Sequence, residues 1–126
     1  MTIHEIEELK REVVAELESL GTNGFEVAST LEALQVTGLP CHATCCPLAH
    51  HLDAVFESRS IKAKVGRDVV RLYRKYEQPC GSLLREPLGE VKLTPGCREF
   101  VVAMDDGNYP WLVKDPFFPH RVCVHL

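Results

Sequence analysis

Nowhere in this chain does an apolar run last long enough to span a bilayer, because charged residues interrupt each hydrophobic stretch. Its first residues, Met1-Thr2-Ile3-His4-Glu5-Ile6-Glu7-Glu8, lack the basic-then-apolar order of a secretory leader and are too acidic for a transit peptide. The expectation is a cytoplasmic protein with no membrane partner. The chain also lacks Cys-x-x-Cys pairs, internal repeats and low-complexity segments. The strong zinc signature of two separated ligand pairs is therefore missing, and no motif amounts to a catalytic signature. In a reducing compartment the cysteines are expected to be free, buried, metal-bound or reactive rather than paired.

What is present suits one globular domain spanning residues 1–126, with 45% hydrophobic and 25% charged residues in a chain long enough to enclose a core. The formal net charge of −4 conceals an uneven distribution. Between Arg59 and Lys75 lie Arg59, Lys62, Lys64, Arg67, Arg71, Arg74 and Lys75 with Asp68 as the single acid, a local charge of +6 that leaves −10 for the rest. Such a segment is where an anionic partner would be met.

Thr2 and Glu5 have capping-box spacing, and a helix over about residues 3–20 follows. Ile3, Ile6, Leu9, Val13, Val14, Leu17 and Leu20 fall on one arc, with Glu5, Glu8, Glu12 and Glu16 opposite on a face expected to be solvated, and Gly21 as terminator. A shorter helix is expected over about 27–34, burying Phe25, Val27, Leu31 and Leu34. After the break at Thr37-Gly38-Leu39-Pro40, Cys46-Pro47 reads as the start of a third helix to about Glu57, with Leu48, Leu52, Val55 and Phe56 inward.

Ile61, Ala63 and Val65 alternate with Lys62 and Lys64 up to Gly66-Arg67, which predicts a hairpin turning on those two residues. That register sets Val65 opposite Asp68, Ala63 opposite Val70, and Lys62 opposite Arg71. One face is then Ile61, Ala63, Val65, Val70 and Leu72, and the other Lys62, Lys64, Val69, Arg71 and Tyr73. Pro79, Gly81, Pro87 and Gly89 suggest a long connection over 77–89, with a strand at Glu90–Leu93. Thr94-Pro95 opens a last helix, ended by Gly107, with Cys97, Phe100, Val101 and Met104 on one side. Arg121 to Leu126 alternates like an edge strand. The expected fold is α+β, about four helices on a small antiparallel sheet, with a winged-helix-like arrangement as one version of it.

Three chemistries suggest themselves. Cys41, Cys45, Cys46 and His50 are soft or borderline ligands close enough in sequence for a zinc site, to which His120, Cys123 and His125 would contribute if the tail folds back. Cys46, at a helix start, is the candidate reactive thiol. The face of Lys62, Lys64, Arg67, Arg71 and Tyr73 is the candidate surface for nucleic acid or an acidic protein, its bland alternative being charge protection of a sheet edge. Tyr109, Trp111, Phe117 and Phe118 offer aromatic anchors for a protein partner, or simply close the core. Taken together these favour a non-enzymatic binding or regulatory module working through the basic hairpin, with the Cys/His cluster as the rival site.

Overall fold

In the computed structural model, which describes residues 1–113, the chain is α+β: four helices cover one face of a three-stranded antiparallel sheet. The helices are α1 (Ile3–Leu20), α2 (Gly24–Ala33), α3 (Pro47–Val55) and α4 (Pro95–Asp105); the strands are β1 (Ile61–Val65), β2 (Val69–Glu77) and β3 (Leu83–Lys92), in the order β1-β2-β3. No described helix is long and apolar enough to cross a membrane. The expected tail strand, and the expected roles of Phe117, Phe118, His120, Cys123 and His125, lie outside the described residues.

The start of α1 is the capping box read from sequence. The Glu5 amide donates to Thr2 Oγ1 at 3.1 Å and the Thr2 amide to Glu5 Oε1 at 3.3 Å, satisfying two donors that a helix end leaves open. Leu9, Val13, Leu17 and Leu20 are buried, whereas Ile3, one turn before the core begins, is 81% exposed. The acidic face is only partly the solvated surface expected. Glu16 Oε1 lies 2.7 Å from the Nε2 of His51, itself buried on α3, and Glu12 pairs with Arg59 in the 3-10 turn that follows α3. Glu12 and Glu16 therefore hold α3 and its C-terminal turn against α1.

Asn23 caps α2 through the Glu26 amide, so that helix begins earlier than the hydrophobic pattern alone suggests. Its core-facing residues are Val27, Ala28 and Leu31; Phe25 and Leu34, expected inside, are exposed, and so is Val55 at the end of α3. One core cluster joins these helices to the apolar sheet face of Ile61, Ala63, Val65, Val70, Leu72 and Val91.

The hairpin forms with its strands where expected and its register moved by two residues. Val65 pairs with Val70, Ala63 with Leu72, Lys64 with Arg71 and Lys62 with Tyr73, and the turn centres on Arg67-Asp68, closed by the Gly66 amide donating to Val69 O at 2.9 Å. The physical reason lies in Asp68. The expected register would face its carboxylate toward Val65 on the buried side; the observed one places Val70 there and leaves Asp68 in the turn. Because the shift is even, every residue keeps its face.

The segment read as a long connection is instead most of β3. It pairs with β2 from Val69↔Lys92 to Glu77↔Leu83, with a bulge at Leu72/Tyr73 that Gly89, at φ +129°, accommodates. Pro87 is tolerated because β3 is an edge strand.

Candidate anion-binding face and the cysteine loop

Strand alternation assigns the sheet face turned away from the helices. It carries Lys62 and Lys64 from β1, Arg71, Tyr73 and Lys75 from β2, and Arg85, Pro87 and Lys92 from β3, with Glu77 and Glu90 as its carboxylates. The expected basic surface therefore exists and extends across all three strands. Lys75, Arg85 and Lys92 enlarge it beyond the residues read from sequence. Arg85 and Lys92 are obscured in the sequence because Pro87 and Gly89 break the strand pattern; the alternation of Leu84 and Glu86 with Arg85 and Pro87 is the available signal.

The like-charge pair expected at Lys62 and Arg71 is found at Lys64 and Arg71, and the fold itself relieves it. Arg71 Nε donates to Glu90 Oε1 at 3.0 Å across the β2–β3 ladder. Lys64 Nζ lies over the Tyr73 ring at 5.9 Å from its centroid, and Arg85 Cζ approaches the same ring at 5.6 Å. Among the described residues, no carboxylate comes within ion-pair distance of Lys62, Lys64, Lys75, Arg85 or Lys92. Burial pushes the Tyr73 hydroxyl above its ordinary value, partly offset by the Arg85 charge, so the ring is neutral at physiological pH.

Arg67 does not join this surface. It sits in the hairpin turn with Nε 3.9 Å from Asp105 Oδ2, at the mouth of a cavity of about 140 Å³ lined by Cys41, His42, Cys46, Val65 and Asp105 among others. Asp105 Oδ1 accepts the Cys41 amide at 2.8 Å, and buried His42 Nδ1 has no hydrogen-bond partner among the described residues.

The cysteine loop is pinned rather than open. Leu39 N donates to Cys45 O at 2.8 Å, Gly38 N to Leu112 O at 2.9 Å, and Val65 N to Ala43 O at 2.8 Å. Cys46 caps α3, its Sγ accepting the Ala49 amide at 3.4 Å. By position alone the helix dipole would favour a thiolate there. Desolvation outweighs the amide hydrogen bonds, and the thiol is pushed up to about 12, so it is protonated at neutral pH. His50 Nδ1 donates to Thr37 O at 2.7 Å, and Cys45 Sγ lies 3.7 Å from Thr44 Oγ1. Cys45, Cys46, Cys80 and Cys97 are free. No group of three or more His, Cys, Asp or Glu side chains among the described residues is gathered to hold a metal ion. Cys41 and Cys45 lie in the loop, Cys46 caps α3 and His50 belongs to α3 itself.

The other aromatic candidates divide. Tyr109 stacks on core Phe100 with centroids 5.6 Å apart, closing the end of α4, and Trp111, 52% exposed, meets Tyr109 edge-on.

No known family model matches this chain, and neither a curated protein nor a solved structure is found to resemble it.

Proposed function

We propose that this protein is a small non-enzymatic binding or regulatory module that holds an anionic partner, a nucleic acid or an acidic protein, on the outer face of its sheet. The observation that carries this reading is the outer face itself: Lys62, Lys64, Lys75, Arg85 and Lys92 have no ion-pair partner among the described residues, while the opposite face of the sheet is buried in the core shared with the helices. Edge protection alone would place charge on β1 and β3, and does not account for Lys75 and Tyr73 on the central strand. A winged-helix mode gains less support, since the exposed side of α3 presents Ala54 and Val55 and no cation. We place the module in the cytoplasm, where free thiols such as Cys45 and Cys80 are kept reduced.

The test is retention of a polyanion by the purified protein. Binding is expected to weaken as salt rises, and in Lys64→Glu/Arg85→Glu the slope of log affinity against log salt should become shallower by roughly two, about one for each phosphate-neutralising cation removed. Binding insensitive to salt, or unchanged in the double variant, would overturn the reading.

A further inference from the structure

Resting on that assignment of the outer face, we infer that the partner is a single-stranded nucleic acid, laid across the three strands with a base stacked at Tyr73. The chemistry of the centre of the face selects this occupant. Tyr73 is on the middle strand, with Lys62 directly across on β1 and Pro87 directly across on β3. Lys64 and Arg85 approach its ring from the two flanking strands, at 5.9 and 5.6 Å from the centroid. An aromatic ring bracketed by cations serves both halves of a nucleotide at once: the ring offers a stacking surface to the base, and the ammonium and guanidinium groups neutralise the phosphates on either side. An acidic peptide would use the cations alone, whereas a nucleotide engages the cations and the ring together.

Geometry separates a single strand from a duplex. The major groove, about 12 Å wide, admits a helix or a two-stranded ribbon. Here the cations are spread over three strands, with Lys62 and Lys64 on one edge and Arg85 and Lys92 on the other. A ribbon lying in a groove would present one hairpin and leave the third strand's cations outside. A single strand, with its bases unstacked from any partner, can follow Lys64, Tyr73 and Arg85 diagonally across the sheet and meet a charge on each side of a stacked base.

The experiment compares three probes by fluorescence anisotropy at a series of salt concentrations: a labelled oligothymidylate, a mixed-sequence DNA duplex of the same length, and poly-glutamate. The oligothymidylate should bind most tightly, with an affinity that falls as salt rises. Tyr73→Leu should weaken it by roughly tenfold, within the range that one base–aromatic stack commands, with the salt slope unchanged; Tyr73→Phe should bind as the parent does. Arg85→Glu, at an exposed position, should flatten the salt slope without disturbing the fold, which guards against a folding defect at the half-buried Tyr73. Duplex or poly-glutamate binding as tight as the oligonucleotide, or an unaffected Tyr73→Leu, would overturn the single-strand inference while leaving the anionic-partner reading standing. Failure of all three probes to bind would overturn both.

Discussion

Cys46 and Cys80 show how far the surroundings of a residue outweigh its place in the sequence. Cys46 has the helix-start position that favours a thiolate, yet it is 7% exposed and its thiol is pushed up to about 12 by burial. Cys80, in the exposed turn between β2 and β3, is held below the ordinary thiol value by a hydrogen bond with Ser82. In the folded protein iodoacetamide should therefore label Cys80 first, and Cys46 and Cys97 only after unfolding; Ser82→Ala should slow the Cys80 reaction. Labelling of native Cys46 at the rate of Cys80 would contradict the burial account. A pH dependence follows with a definite sign. The folded Cys46 value lies above its ordinary 9.0, so the associated stability is complete below about pH 9 and is lost as pH climbs toward 12. Urea unfolding should show that decline, and Cys46→Ser, which keeps an acceptor for the Ala49 amide, should make it shallower. Burial was missing from the sequence, because nothing near Cys46 announces that the β1–β2 turn and α4 enclose with it a small cavity.

At the scale of elements, β1 is an edge strand whose outward amides are taken by its neighbours. Ala63 N donates to Asp53 Oδ1 of α3 at 2.8 Å, Val65 N donates to Ala43 O of the cysteine loop, and the strand therefore offers no free ladder for another chain to extend there. Asp53 sits half-buried with its carboxyl raised by desolvation, an effect that the Ala63 amide and the Lys62 charge oppose. Asp53→Ala should lose about 1–3 kcal/mol in chemical unfolding by leaving the Ala63 amide unsatisfied. Asp53→Asn, which retains an acceptor oxygen and removes the charge, should lose much less. If the two variants were equally destabilised, the contribution would belong to the charge and not to the amide. The helices were legible because each signal was local: Thr2 with Glu5, Pro47 after Cys46, Pro95 after Thr94. The third strand was not, because Pro87 and Gly89 are punctuation in most contexts and only their partners on β2, at an edge and at a bulge, make them strand residues. The basic face was half legible for the same reason: Lys62, Lys64, Arg71 and Tyr73 belong to the hairpin, whereas Arg85 and Lys92 arrive with β3.

Over the whole molecule, α1 carries a row of glutamates among the helices, whereas on the outer sheet face Lys62, Lys64, Arg71, Lys75, Arg85 and Lys92 outnumber Glu77 and Glu90. On the proposed reading, a polyanion approaching from solution is oriented toward the sheet before it docks. The two halves of the chain meet at Gly38, which donates to Leu112 O and bridges to Val113. A methyl group on Gly38 would overlap the Cys45 carbonyl oxygen and lie 2.5 Å from the Pro47 nitrogen, both of them backbone atoms. Gly38→Ala should therefore cost about 1–3 kcal/mol in urea unfolding, as overpacking of a close-packed site does. An unchanged stability would mean that the loop yields. The anchoring of that loop also sets an order of events during synthesis. Its partners are made late: Asp105, which holds the Cys41 amide, follows it by 64 residues, and Leu112, which holds Gly38, comes later still. The β1–β2–β3 meander, built from neighbouring segments, precedes both of them in the chain. Until α4 is made, the cavity wall that Val101 and Asp105 supply beside Cys46 is missing, and a thiol that burial keeps protonated in the finished protein passes through a reactive youth.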